Sequence, residues 1–458
     1  MNKFCEYIKK YTEGKTVCIL GFGREGKSTW KILEKYCSPE AVAIADLNPV
    51  DREANGLPGS VELICGKDYQ KCLDRFDMVF KSPGIVLEKS LPELKCMITC
   101  ETQVFFEVYR EQIIGITGTK GKSTVTSLIY HVLHESGVDC RIAGNIGIPV
   151  FDIAEGMNDD TVVVCELSCH QLEYMTVSPR SAIFLNLYEE HLDHYGTMEN
   201  YYNAKKNIYL HQDVCDVLWC NSSIVSDDMP SIVVTVSNTD DSADVYVENG
   251  VVWDSDDEDY EIPTDKIKLL GTHNHYNIAI AWDVCKDLVE EEDFTKALCS
   301  FDPLAHRLEF VDTVRGIRWY DDSISTACAT AISALQSVPK VGTILIGGMD
   351  RGIDYQSLVD FLSGFDVRVI CMEASGRRVY DMIQASGSFS NKERVHYADH
   401  LAEAVKLAAE ITPEGMSCVM SPAAASYGIF KNFEERGDAF KKLVNELRTK
   451  NYELRTRN

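Results

Sequence analysis

The strongest chemical pattern in the chain is the run Gly115-Ile-Thr-Gly118-Thr119-Lys120-Gly121-Lys122-Ser123-Thr124. Glycines let backbone N–H groups close around phosphates, a lysine at the mouth of the next helix reaches β- and γ-phosphate oxygens, and the hydroxyl after it can hold Mg²⁺. Lys122 and Ser123 stand in those two places, so the run reads as an ATP-binding loop. The strict spacing asks for glycine five residues before Gly121, where Ile116 stands, and Gly118 supplies the flexibility instead.

A second run, Gly21-Phe-Gly23-Arg24-Glu25-Gly26, has Asp46 20 residues beyond its last glycine. That is the form of a nucleotide-binding βαβ unit, in which a helix N-terminus takes a pyrophosphate and an acid takes a ribose. Arg24 suits a diphosphate because its guanidinium donates in a fork. One such loop alone reads as a dehydrogenase. Paired with a phosphate loop about 95 residues later, it points to one nucleotide substrate plus one ATP.

These loops need strands and helices to hold them. Short apolar, β-branched runs recur at Thr16–Leu20, Ala41–Ala45, Met78–Phe80, Ile113–Thr117, Thr161–Cys165, Ala182–Asn186, Thr343–Ile346, Val367–Met372 and Cys418–Ser421, with helical periods between them. Near-continuous apolar strands alternating with helices imply parallel sheets covered on both faces, an α/β protein. Boundaries near 97 and 302 give three domains: a Rossmann-like domain over 1–97, a central ATPase domain built on the phosphate loop over 98–302, and a second Rossmann-like domain over 303–458.

Composition narrows the function. The 458 residues carry 45 Lys and Arg against 71 Asp and Glu, a net charge of −26. Sequence-independent nucleic-acid binding draws its affinity from cations that release phosphate counterions, so nucleic acid is not an expected partner. Seventeen scattered cysteines without a CxxC pair read as reduced thiols, and Cys96/Cys100 and Cys165/Cys169 lack the partner pairs of a zinc site. Residues 1–14 contain no apolar signal core and nowhere do 18 apolar residues run together, so the expectation is a soluble cytoplasmic protein with no membrane partner. Residues 223–264 hold twelve acids and no Lys or Arg, centred on Asp256-Asp257-Glu258-Asp259, and read as a solvated surface hairpin or loop.

Further runs carry a resemblance. They are Thr119–Thr124, Glu166-Leu-Ser168-Cys-His-Gln171, Asn186-Leu-Tyr-Glu-Glu190-His191-Leu-Asp193, Asn203-Ala-Lys205-Lys206, Gly271-Thr-His273-Asn274-His-Tyr-Asn277, His306-Arg307-Leu-Glu309, Tyr320-Asp321-Asp322-Ser323 and Ser421–Ser426 with Phe430–Gly437. With the first glycine loop and Lys81-Ser-Pro-Gly84, they cover nearly the whole chain, which resembles the ATP-dependent Mur ligases, in particular their glutamate-adding branch. The resemblance implies an amide ligase that joins D-glutamate to UDP-N-acetylmuramoyl-L-alanine through an acyl phosphate, in cytoplasmic peptidoglycan precursor synthesis, as a monomer using ATP and Mg²⁺.

By the same resemblance, Lys122, Glu166, His191 and Lys205 are the catalytic group. Ser123, Glu166, His191 and a carbamylated Lys205 hold the metal, and Asn274, Asn277, Arg307 and Asp322 join Gly118–Thr124 around ATP. Gly23, Arg24, Glu25, Asp46, Asn145, Ser168 and Gln171 fall to the UDP substrate, and Thr326, Arg351, Ser426 and Phe433 to glutamate. Carbamylation turns a cation into a carboxylate-like ligand, which accounts for a lysine where a divalent ion is held.

Two positions depart from the branch's pattern. Its Asp-Ser-Lys run is Asp322-Ser323-Ile324 here, and the lysine of its Gly-Gly-x-Asp-Lys is Arg351. One cation is lost and the other has become forked, which leaves open an alternative reading as a ligase that adds L-glutamate ahead of an epimerase. A nicotinamide oxidoreductase leaves the phosphate loop unexplained. A folate-type ligase leaves the separate first domain unexplained, and a silent scaffold leaves the retained catalytic set unexplained.

Overall fold

A computed structural model describes residues 2–255 and 259–455. The chain divides into two compact units, one of residues 1–265 with 275–299 and one of residues 266–274 with 300–458.

The first unit contains two sheets. Strands β1 (Thr16–Leu20), β2 (Ala41–Asp46), β3 (Glu62–Cys65), β4 (Met78–Lys81) and β5 (Met97–Thr99) form an all-parallel sheet in the order β3-β2-β1-β4-β5. Val17–Leu20 are all buried, as a central parallel strand covered on both faces requires. Helix α1 (Lys3–Thr12) starts where the Asn2 side chain accepts the amide of Cys5, and helix α2 (Arg24–Tyr36) opens on the first glycine loop. That loop depends on glycine twice: Gly21 sits at φ +91°, and a Cβ on Gly26 would lie 2.0 Å from the Gly21 carbonyl oxygen.

Helix α3 (Glu101–Tyr109) leads into the second sheet and brings Phe105 and Tyr109 against Phe4, so the cores of both sheets are continuous. This sheet has nine strands: β6 (Ile113–Thr117), β7 (Cys140–Gly144), β8 (Val162–Glu166), β9 (Ser181–Phe184), β10 (Val217–Asn221), β11 (Ile232–Ser237), β12 (Val245–Glu248), β13 (Val251–Asp254) and β14 (Tyr260–Glu261). Their order is β14-β13-β12-β11-β10-β9-β6-β8-β7, parallel from β7 to β12 and antiparallel at the β12–β13–β14 edge.

The acidic stretch does contain a hairpin, β12–β13, but it is built into the sheet and is not a free surface element. The stretch contributes β11 to β14, and its hairpin turns at Asn249-Gly250, both with positive φ. Its acids are partly engaged: Asp244 accepts from the amide and hydroxyl of Thr235 at 2.8 and 2.7 Å, and Asp228 pairs with Lys206 at 2.7 Å. Asp256, Asp257 and Glu258 lie outside the described residues.

The second unit holds one sheet of β15 (Glu309–Val314), β16 (Ile317–Asp321), β17 (Val341–Ile346), β18 (Arg368–Met372), β19 (Val395–Ala398) and β20 (Ser417–Met420). The order is β15-β16-β20-β17-β18-β19, parallel except for the β15–β16 hairpin. Strand order reverses between β20 and β17, and the loops leaving those two strands face the crevice where open α/β sheets take ligands. Among the described residues all seventeen cysteines are free, and no helix is long and apolar enough to cross a membrane.

Candidate functional site

β6 delivers the chain into the phosphate loop, and helix α4 (Lys122–Glu135) takes it away. Gly118 at φ +151° and Gly121 at φ +86° make the turn, and a Cβ on Gly118 would meet Leu185 Cβ at 2.9 Å. Two loop amides are committed to the fold: Thr119 N–H donates to Asn186 O at 3.0 Å and Lys120 N–H to Asn186 Oδ1 at 2.8 Å. The Lys120 ammonium pairs with Glu190 at 2.8 Å. What remains for an anion is the first turn of α4 at Lys122, Ser123 and Thr124, whose amides have no acceptor within the helix.

Lys122 Nζ folds back onto Gly118 O at 2.8 Å and Thr119 O at 3.0 Å. Lys205, near the end of the helix Met198–Lys206, reaches the same place from the other side and donates to Gly118 O at 2.9 Å and Thr117 Oγ1 at 3.3 Å. Its side chain is 1% exposed. Burial, with the Lys122 charge adding to it, pulls the Lys205 amine down to about 7, and burial also lowers Lys122. Lys206, the other lysine of the pair, turns away to Asp228.

Sequence reasoning missed Tyr201, whose ring lies under the Lys205 ammonium at 5.0 Å and whose hydroxyl is 3.1 Å from Thr119 Oγ1. The available signal was its i, i+4 spacing from Lys205 on one helix face.

Glu166 ends β8, next to β6, and is buried. Its Oε1 accepts from Asn145 Nδ2 at 2.6 Å, while Oε2 has no hydrogen-bond partner among the described residues. A buried carboxylate oxygen without a donor fits a hard cation. His191 occupies the left-handed region at φ +57°, and burial lowers its imidazole. Its ring packs edge-on against His170 at 5.1 Å, and His170 in turn meets His194 at 4.5 Å. Burial first, then its neighbours His194 and His191, push His170 down to about 4. Glu166 and Ser123 offer the oxygen donors that a hard cation takes, and Glu166 and His191 each lie within electrostatic reach of Lys122.

The residues expected at the UDP substrate are joined to one another. Arg24 Nη2 donates to Asn145 O at 2.9 Å, and Gln171 Nε2 donates to Glu25 Oε1 at 2.9 Å. Ser168 caps its helix by accepting from the Gln171 amide. Burial raises the Glu25 carboxyl. Asp46 holds the first loop itself, accepting from Phe22 N–H at 2.7 Å and Asn48 N–H at 2.8 Å, while Gly23 caps α2 with open space around it. Asn277 borders the phosphate loop, its Oδ1 3.0 Å from where a Cβ on Gly121 would stand.

The remaining candidates belong to the second unit. Asn274 Nδ2 donates to Leu270 O at 2.7 Å. Arg307 is held between His306 and Leu308, both at positive φ, and His306 Nδ1 lies 2.7 Å from Asp321 Oδ2. Asp322 faces inward, accepting from Ser325 Oγ at 2.5 Å, Ser421 Oγ at 2.7 Å and Leu308 N–H at 3.2 Å, and burial pushes its carboxyl up to about 6. Thr326 and Arg351 are exposed, Ser426 is buried and Phe433 half-buried. His306, Glu309 and Asp321 cluster like metal ligands, but Lys441 already sits 3.1 Å from Glu309, which makes the group an ion-pair network.

Comparison with known proteins places this geometry. Residues 116–285 match the Mur ligase middle domain. Over 98% of its length the chain is 30% identical to the UDP-N-acetylmuramoylalanine–D-glutamate ligase of Ruminiclostridium cellulolyticum, covering 100% of that protein. The enzyme of the same name from Ligilactobacillus salivarius is 33% identical over 96% of this chain and 98% of its own. Among solved structures, the UDP-N-acetylmuramate–alanine ligase MurC of Thermotoga maritima has the same fold, with a TM-score of 0.59 at 16% identity over 94% of this chain and 99% of that one.

Proposed function

The chain belongs to the Mur ligase family, and from that premise we propose that it joins D-glutamate to UDP-N-acetylmuramoyl-L-alanine at the expense of ATP. The near-full-length match to ligases of that name carries the reading. It is an ATP-dependent ligase of peptidoglycan precursor synthesis. Its three-domain α/β architecture has one sheet per domain. We assign residues 1–97 to the UDP substrate, 98–302 to ATP and 303–458 to glutamate, and place the enzyme in the cytoplasm as a monomer without nucleic-acid or membrane partners.

An unactivated carboxylate does not accept an amine, so the first step moves the ATP γ-phosphoryl group onto the substrate's alanine carboxylate. The carboxylate oxygen bonds to phosphorus, and the bond to the β-bridging oxygen breaks to leave ADP. Two anions must meet, and Lys122 with the α4 N-terminus supplies positive charge where it accumulates. The amine of glutamate then attacks the acyl carbon and phosphate departs. Thr326, Arg351, Ser426 and Phe433 hold the amino acid, with Arg351 as the forked cation for one of its carboxylates.

Ser123, Glu166 and His191 are the residues that would hold Mg²⁺, which when bound neutralises phosphate charge. The unpartnered Oε2 of Glu166 supports that assignment. We further propose that Lys205 is carbamylated. A buried amine drawn down to about 7 is about half uncharged near neutral pH, so its lone pair can attack CO₂; the new N–C bond forms, one proton leaves, and the product is an anionic carbamate. The carbamate replaces a cation that repels Lys122 with an anion that attracts it.

The test is phosphate release from ATP and UDP-N-acetylmuramoyl-L-alanine, run in parallel with D- and L-glutamate. Release with the D isomer supports the reading. Release with the L isomer alone replaces it with the epimerase-dependent branch, to which Ile324 and Arg351 would then belong, and silence with both overturns it.

A further inference from the structure

We infer that Arg436 is a positioning residue of the amino-acid pocket, a buried group that bears on all four segments assigned to glutamate; the inference rests on that assignment.

Arg436 lies in the first turn of the helix Phe433–Arg455 and is 0% exposed. Such burial of a guanidinium is costly, and Nε and Nη2 offset it by donating, while Nη1 has no hydrogen-bond partner among the described residues. Nε donates to Ser323 Oγ at 3.0 Å, and Nη2 donates to Ser323 O at 2.8 Å and Ala424 O at 3.0 Å. Ser323 Oγ–H in turn donates to Phe433 O at 2.8 Å, which closes a ring from Arg436 back to its own helix. On the far side, a Cβ on Gly348 would stand 2.9 Å from Nη1. The carboxylates of Glu373 and Asp321 offset the charge while burial draws the guanidinium down to about 10, so it stays protonated.

Three of these touchpoints sit two or three residues from a glutamate candidate, and the fourth, Phe433, is one. Ser323 precedes Thr326, Gly348 precedes Arg351, Ala424 precedes Ser426, and Phe433 is on Arg436's own helix turn. The loops they occupy leave β16, β17 and β20 at the crevice of the sheet, and a common anchor holds their spacing more tightly than loop backbone alone. A further bond, Met349 N–H to Ala425 O at 2.8 Å, ties two of the loops directly, so the guanidinium acts on a partly coupled frame. Arg436 itself has no exposed surface. Its effect passes through the four segments, which explains why a forked donor stands here: lysine has one nitrogen and cannot reach Ser323 and Ala424 with separate N–H groups held in a plane.

The experiment measures steady-state kinetics for wild type, Arg436→Lys and Gly348→Ala, varying glutamate, ATP and the UDP substrate in turn, with melting temperatures alongside. Gly348→Ala approaches from the other side, since its Cβ would press on Nη1 and on Ala425 O at 2.5 Å. Both variants should raise the glutamate KM about tenfold or more, keep ATP and UDP-substrate KM within about twofold, and retain most of kcat at saturating glutamate. Arg436→Lys should retain part of the wild-type affinity that Arg436→Met loses. A folded variant with unchanged glutamate KM, or with equal losses toward all three substrates, overturns the inference while leaving the function intact. If Arg436→Lys does not fold, Gly348→Ala and Ser323→Ala decide by the same split. A wild type inactive with either glutamate isomer overturns the functional reading, and this inference with it.

Discussion

Lys122 and Lys205, 83 residues apart in the chain, donate to one carbonyl oxygen, Gly118 O, at 2.8 and 2.9 Å. Two ammonium groups on one acceptor repel each other in a place where water screens little. The strain is relieved in either of two ways: an anion draws Lys122 off the carbonyl, or Lys205 gives up its charge. Both belong to the proposed reaction, so the loop is preloaded toward its substrates.

Lys205→Ala should lower kcat by about 100-fold or more, with part of the activity returning on addition of a short-chain carboxylate that occupies the vacated volume. Labelled ¹³CO₂ should give a carbamate carbon resonance in the wild type that the variant lacks. Wild-type-like turnover by Lys205→Ala would sink the carbamate.

Glu166→Gln keeps the carbonyl that accepts from Asn145 and replaces the unpartnered oxygen with an amide. The fold should hold, since the Asn145 bond is kept and only the unpartnered oxygen changes. The Mg²⁺ concentration for half-maximal phosphate release should rise by at least about tenfold. An unchanged Mg²⁺ titration curve would show that this carboxylate is not a ligand.

Asp322 gives a pH signature with a definite sign. Burial raises its carboxyl from 3.8 to about 6, so the unfolded chain gives up this proton first. Its contribution is most favourable below pH 3.8, falls as pH rises, and is about 3 kcal/mol less favourable above pH 6. Hydrogen exchange of peptides spanning β16 and β17, corrected for intrinsic rate, should show the wild type losing protection relative to Asp322→Asn across that window. Parallel curves for the two proteins would contradict the assignment.

Gly26→Ala tests the first loop. The added Cβ would stand 2.0 Å from a backbone oxygen that cannot swing away, so the helix must move off the sheet. A loss of about 3 kcal/mol or more is expected, along with weaker UDP-substrate binding, whereas Gly23→Ala, with open space around it, should cost under about 1 kcal/mol. Equal melting temperatures for the two variants would refute the packing argument.

Both glycine loops and the parallel core were legible in the sequence because each needs a particular residue type at a fixed offset from an apolar run. Gly21, Gly26, Gly118 and Gly121 stand where the turns require them, and α2 and α4 begin at Arg24 and Lys122. The short strands were not legible. β3 is only partly buried and β14 has two residues, so neither shows a hydrophobic period, and the acidic stretch hid four strands behind its charge. Within the candidate site, the glycine loop marked Lys122 and the family resemblance marked Glu166 and Lys205, but partners remote in sequence were invisible. Nothing in the chain's order indicates that Arg24 would spend its donors on Asn145, or that Arg436 would reach Ser323 across 113 residues.

The nine-stranded sheet ends on β14, a strand of two residues flanked by Asp259 and Ile262, with Pro263 next. An open β edge is a template on which another chain can add a strand. Here a newcomer would find two ladder positions, a proline with no N–H to offer, and like charge from Asp259 and Glu261, while the inward ring of Tyr260 is already stacked on Trp282 at 4.5 Å. The acid-rich stretch thus does service as a terminator of sheet growth: it lets a large parallel sheet stop without recruiting a neighbour.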